Sequence, residues 1–351
     1  MEMDMDKAEQ SADLPELLDH QDLDVIDEVI VDPFSPGAQL AQGECFAVYE
    51  PAMCPRPGAQ RWVIKRALEP LCTQPAFIDR LRALAGRLHL LRHPNVEEVI
   101  EVRAAPGDCA LVCERLEGQT LADVLQQGVR LAVEDARLLC SQICDALAAA
   151  HSLGLAHGNL TPERIVFIRP YEPGSLAIKI RGFGLGRLLG CDLFGTAPYL
   201  APEQVDLFAP RPAATPQTDQ FVLGALLVEM LTGRKAFSGS SVAEVRHKLL
   251  HQDPRQIEWV GAQPDDIRRV HKALERALAK IPEQRYRSVH SFVEALLPRS
   301  HGSALAPVSQ PAQPPQIRLV VGANLQVVVS EMPTLQVRSG AISGDSTLPC
   351  L

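Results

Sequence analysis

Between residues 38 and 116 short apolar runs alternate with polar positions: "CFAVYEP", "RWVIKRAL", "NVEEVIEVRA" and "CALVCERLEG". Runs of that length and period predict strands, because successive side chains on a strand point to opposite faces. One longer stretch among them, "FIDRLRALAGRLHLLRHP" (77–94), has helical periodicity. From 120 to 298 the helical period takes over, as in "DARLLCSQICDALAAAHSLG" (135–154) and "DIRRVHKALERALAK" (266–280), the latter followed by Pro282. Strands first and helices afterwards predict an α+β fold in two lobes, divided here at 34–116 and 117–299.

The flanks read differently. In residues 1–33, Leu14, Leu17, Leu18, Val25, Ile26, Val29 and Ile30 fall near one face at helical spacing. Two readings stand side by side: an acidic disordered tail, or a helix that docks on its own domain or on a partner. "DPFSPG" (32–37) ends any such helix. Residues 300–316 form a linker, with "APVSQPAQPPQ" at 306–316. In 317–351, "IRLVVGANLQVVVS" and "TLQVRSG" predict a hairpin and a third strand, too little for an independent domain.

Composition narrows the class. Apolar residues make up 46% of the 351 and charged residues 22%, ordinary for a soluble globular protein. The formal charge of −9 is concentrated: residues 1–32 hold twelve Asp/Glu against one Lys, a net −11, so the rest sums to +2. An acidic head on a near-neutral body argues against nucleic-acid binding, which requires a basic stripe. Nine cysteines without a C-x-x-C pair suggest neither a disulfide framework nor a zinc site. Cys109/Cys113 and Cys140/Cys144 read as small buried hydrophobes in a reducing cytosol. The longest apolar run, "FVLGALLVEMLTG" (221–233), is too short to span a membrane and includes Glu229. An acidic N-terminus is unlike a signal peptide. The expectation is a cytoplasmic protein that binds other proteins and neither nucleic acid nor membrane.

Three motifs carry a family resemblance. "GTAPYLAPEQVDLF" (195–208), "TDQFVLGALLVEMLTGRKAFSG" (218–239) and "AKIPEQRYRSVHSFVEAL" (279–296) resemble, in order and spacing, characteristic segments of Ser/Thr protein kinases, especially the bacterial ones of eukaryotic type. The resemblance covers about 38–297. It implies a bilobal fold, with a small antiparallel sheet lobe carrying one helix and a larger, mainly helical lobe. It also implies that Glu203 pairs with Arg285 and that Asp219 accepts backbone N–H groups from the catalytic loop. Leu88, His157 and Phe183 would belong to an apolar column joining the lobes.

The positions that do chemistry in the family are changed. "AHGNLTPERIV" (156–166) resembles the catalytic loop, with Asn159 for the basic aspartate, Thr161 for the lysine and Arg164 for the metal-binding asparagine. The aspartate of D-F-G is Gly182 in "RGFGLG". A guanidinium does not coordinate Mg²⁺, and an amide is no base. The phosphate loop reads "LAQGECFAV" (40–48), with Ala41, Gly43 and Phe46 at the glycine positions, and Val63 stands where a smaller alanine sits above adenine. Lys65 in "WVIK" matches the phosphate lysine. The family spacing places Leu84 where its glutamate partner belongs, and Asp79 lies more than a helical turn away. Lys65 is therefore expected to lack its usual partner, leaving a solvated side chain and residual nucleotide contact as equal alternatives.

Between Leu185 and Gly195 there is no Ser, Thr or Tyr, and Gly158 replaces the arginine that grips a phosphorylated activation loop. The resemblance assigns nucleotide contact to Gly43, Val48, Lys65, Glu114, Leu116 and Val166. The expectation is a pseudokinase serving as a protein-binding scaffold or allosteric module, with ATP contact independent of Mg²⁺. Two rivals stand: a divergent active kinase or nucleotidyl transferase, and a fold acting as spacer between functional flanks.

Overall fold

The computed structural model describes residues 35–43, 45–52, 62–185, 194–206, 213–258 and 263–297. The acidic segment 1–33 and the predicted strands of 317–340 lie outside them.

Five strands form the first sheet: β1 (Pro36–Gln42), β2 (Phe46–Pro51), β3 (Trp62–Ala67), β4 (Val99–Ala105) and β5 (Asp108–Glu114). Their order is β1-β2-β3-β5-β4, and every pairing is antiparallel. The alternating pattern is realised on β3, where Val63 and Ala67 turn toward the main core and Ile64 toward a small second cluster with Ala110 and Val112. Between β3 and β4 runs helix α1 (Pro75–Leu90), entered through a proline in its first turn. Phe77, Ile78, Leu81, Leu84 and Leu88 form its buried stripe, and it packs on β4.

The second lobe is helical: α2 (Leu121–Gln126), α3 (Val133–Ser152), α4 (Pro202–Val205), α5 (Pro216–Thr232), α6 (Val242–His251), α7 (Pro264–Ala277) and α8 (Val289–Leu296). The short strands β6 (Ile165–Phe167) and β7 (Ile178–Ile180) pair antiparallel between α3 and α4. Helix α5 is buried on all sides, which explains why "FVLGALLVEMLTG" shows no amphipathic pattern. Thr215 caps its N-terminus, accepting from the Thr218 N–H, and Gly233 ends it at φ +66°, a conformation open to glycine. Helix α3 packs against both α5 and α8. No helix among the described residues is long and apolar enough to cross a membrane.

The cysteine pairs occupy different elements. Cys109 and Cys113 share one face of β5, Cys140 and Cys144 one face of α3, and all four are buried. Burial pushes the Cys113 thiol up to about 12.

Candidate nucleotide cleft and catalytic loop

One buried carboxylate positions the loop 156–166, and a buried ion pair fixes the helices behind it. Asp219, at the start of α5 and 1% exposed, accepts from the backbone N–H of His157 (2.8 Å) and of Gly158 (2.8 Å), and contacts His151 Nε2 (2.8 Å). Gly158 has φ +73°, so this tight turn suits a residue without Cβ. Arg285 has a fully buried side chain, and its guanidinium donates to both Glu203 carboxylate oxygens (2.9 and 2.8 Å). It also donates to the carbonyls of Gln217, Ala279 and Lys280. A planar fork satisfied this fully holds α4, α5 and the segment before α8 in one register.

Above the loop, His157 meets Phe183 edge to face with centroids 4.7 Å apart, and its Nε2 lies 3.3 Å from the Arg181 carbonyl. Burial drives the His157 imidazole down to about 4, so it is neutral at pH 7. Phe183 and Leu88 line one small void of about 10 Å³, room for a single water, together with Lys65, Glu97, Gly182 and Leu185. The three column residues are thus brought to one place between the sheet and the helical lobe.

Lys65 is where the structure corrects the sequence reading. It has a partner. Its Nζ donates to both oxygens of Glu97 (2.5 and 2.7 Å), with side-chain exposures of 14% and 5%. Burial opposes the charge on Lys65, and the Glu97 carboxylate more than offsets it, so the ammonium is held above its ordinary range. The partner comes from the loop after α1 instead of from the helix. Backbone bonds from Glu97 N–H to the Ile180 carbonyl (2.9 Å) and from Ile180 N–H to the Asn95 carbonyl (2.8 Å) tie that loop to β7. Leu84, at the place of the usual glutamate, is buried and sits over Gly184: a Cβ there would meet the leucine methyls. No periodic signal in the sequence pointed to Glu97: Val96, Glu97 and Val99 are all buried, and Glu97 lies before the start of β4.

The altered positions converge below this pair. Gly182 adopts φ +87°, and a Cβ built on it would collide with Nη1 of Arg164. The Arg164 guanidinium therefore fills the space that a side chain at 182 would enter. It is largely buried, and both desolvation and the neighbouring Arg181 work against its charge, with Glu97 and Glu163 partly compensating. Arg181 itself donates to the Glu163 carbonyl (2.8 Å). Asn159 is 3% exposed and its Oδ1 accepts no hydrogen bond from the described residues, while its backbone N–H reaches His157 Nδ1 (3.3 Å). Thr161 is buried at 2% exposure. Arg181 thus lies close enough to act on the charge of both Lys65 and Arg164, with Glu97 beside Lys65 and both Glu97 and Glu163 acting on Arg164.

The remaining predicted contacts divide between the five-stranded sheet with the segment after it and, for Val166, the β6–β7 pair of the second lobe. Gly43 closes the β1–β2 turn, its N–H bonded to the Phe46 carbonyl (2.9 Å). Val48 stands opposite Lys65 in the β2–β3 register. Phe46 and Val48 are partly buried against the main core, so the ring at the third glycine position folds inward. The Glu114 carboxylate is taken up by Lys179 Nζ (2.6 Å) and the Glu98 N–H (3.3 Å), and its own backbone N–H donates to the Glu98 carbonyl (2.8 Å). Leu116 is partly buried, and Val166 is buried in β6, bridged to Thr120.

A five-stranded antiparallel sheet with one helix, set on a helical lobe whose loop is gripped by Asp219, defines the kinase fold. The chain belongs to the protein kinase domain family, whose signature matches residues 77–302. Among curated proteins, the serine/threonine-protein kinase Pkn1 of Myxococcus xanthus is 30% identical over 236 residues, 64% of this chain and 32% of that protein. PkaA of Streptomyces coelicolor is 32% identical, over 67% of this chain and 42% of its own length. PknA of Mycobacterium tuberculosis is 28% identical, over 68% and 54%. The chain thus spans from 32% to 54% of the length of these relatives. Among solved structures, the kinase domain of Mycobacterium tuberculosis PknI superposes with a TM-score of 0.55. That match has 20% identity and covers 75% of this chain and 95% of that one, a likeness of fold.

Proposed function

We propose that this kinase domain is a pseudokinase: a protein-binding or allosteric module that contacts nucleotide, where it does so, without a divalent metal. The observation that carries the reading is Arg164, whose guanidinium occupies the space beside Gly182 where the family holds a metal-binding carboxylate. Asn159 agrees with it, because a buried amide oxygen has the outline of a carboxylate and no basicity. Thr161 removes a cation from beside the transferred phosphoryl group, so that base, metal ligands and cation are lost together from the machinery of phosphoryl transfer. Arg164 and Lys65 supply fixed positive charge for phosphate oxygens in place of a metal.

A thermal shift experiment tests this directly. ATP raises the melting temperature equally with Mg²⁺ and with EDTA, or not at all. A shift that appears only with Mg²⁺ refutes the reading.

One observation favours the rival, a divergent ATP-dependent kinase or nucleotidyl transferase: the Lys65 pair has been rebuilt with Glu97. Incubation with γ-labelled and α-labelled ATP and a generic protein substrate separates the two. Label transfer that vanishes in Lys65→Ala establishes the enzyme; its absence from the wild type supports the module.

A further inference from the structure

We propose that Cys144, Asp145 and His290 form a binding site for a borderline-soft divalent cation of the zinc class, on the face of the helical lobe where α8 meets α3. This site is separate from the nucleotide cleft and does not depend on how that cleft is read. Cys144 and Asp145 are consecutive on α3, and His290 is the second residue of α8. Their ligand atoms, a thiol sulfur, a carboxylate oxygen and a ring nitrogen, all lie within 4.8 Å of one another.

The spacing fits a metal. Cys144 Sγ and His290 Nδ1 are 3.5 Å apart. A tetrahedral zinc with thiolate at ~2.3 Å and imidazole at ~2.0–2.1 Å sets those two atoms roughly 3.6 Å apart. An ion held on Cys144 Sγ and His290 Nδ1 takes Asp145 through a side-chain rotation, because one His290 nitrogen faces the thiol and the other, Nε2, lies 4.0 Å from Asp145 Oδ1. Cys144 is buried at 2% exposure, while Asp145 and His290 are about half exposed, so the floor of the site is fixed and its mouth is open. The fourth position falls to water or to Glu294, one turn beyond His290 on α8 and near enough to act on the Cys144 thiol.

The chemistry of the set selects the ion. One thiol, one imidazole and one carboxylate suit zinc, cobalt or cadmium, whereas magnesium and calcium take oxygen ligands alone. On binding, the Cys144 S–H bond breaks, its electron pair enters the metal–sulfur bond and one proton leaves to solvent. The bound ion joins the last described helix to α3, whose C-terminal turn carries the His151 that contacts Asp219. Without metal, the same atoms make a thiol–imidazole hydrogen bond and a loose surface pair.

Cobalt(II) is the probe, because a thiolate–cobalt bond gives a near-ultraviolet charge-transfer band. Titration of the full chain is expected to saturate this band at one equivalent. Zn²⁺ then displaces the cobalt and raises the melting temperature. Cys144→Ser abolishes the band, and His290→Gln, at an exposed position that folding tolerates, weakens binding at least tenfold. A chain with Cys45, Cys54, Cys191 and Cys350 replaced by Ser keeps the band. No charge-transfer band in the wild type, a band that survives Cys144→Ser, or unchanged affinity in His290→Gln overturns the proposal.

Discussion

Replacing Glu97 by Gln leaves the Lys65 ammonium buried beside an amide. The pair has side-chain exposures of 5% and 14%, and both carboxylate oxygens are bonded to Nζ. Removing one partner of such a pair costs about 3–5 kcal/mol, because the remaining charge stays desolvated. Gln keeps the shape and one acceptor, so the expected loss lies near the lower end, about 3 kcal/mol. A domain of this size has roughly 5–15 kcal/mol to lose. At ~2–4 °C per kcal/mol, the melting temperature should fall by about 6–12 °C. Urea unfolding followed by far-UV circular dichroism and by fluorescence gives the free energy, and Trp62 lies three residues before Lys65 on β3. The apolar double variant Lys65→Met/Glu97→Leu removes both charges and should unfold within ~1 kcal/mol of the wild type. A loss under ~1 kcal/mol in Glu97→Gln, or a double variant as unstable as the two single changes summed, would refute the claim that Glu97 neutralises Lys65.

Three further outcomes follow from the same geometry. Gly182→Asp should destabilise the fold by ~1–3 kcal/mol, since a side chain at φ +87° must also displace Arg164, and Arg164→Asn in the same chain should recover most of that loss in urea titrations. Arg285→Lys should cost ~3–5 kcal/mol despite keeping the charge, because an ammonium cannot serve the Glu203 carboxylate and three carbonyls as a planar fork; unfolding midpoints within experimental error of the wild type would count against it. His157 is neutral in the folded state down to about pH 4, whereas an unfolded histidine protonates near 6.5. The unfolded chain therefore binds the extra proton between those values, and stability falls by up to ~3 kcal/mol on acidification from about pH 6.5 to about 4, with no further loss from this group below. His157→Gln should flatten that part of the stability–pH curve, measured as the difference from wild type.

The placement of secondary structure was legible because its signals are local. The strands of 38–116, the helix after them and the long helices of the second lobe follow from period and from stops such as Pro282, with boundaries close to those observed. Motif spacing likewise pointed to Glu203, Arg285 and Asp219, since those residues are defined by their order along the chain.

The partner of Lys65 was not legible in that way. Counting along α1 reached Leu84, whereas the carboxylate enters from Glu97, held there by backbone bonds to β7, far later in the chain. The arrival of Arg164 beside Gly182, and of His290 beside Cys144, has the same origin. The sequence by itself determined which residue types stand in this loop, Asn159, Thr161 and Arg164 among them, because residue identity and order belong to the chain before it folds. Only the tertiary structure decided which charges face one another in the space left behind, because electrostatic pairing depends on distance and burial, and neither is set by separation along the chain.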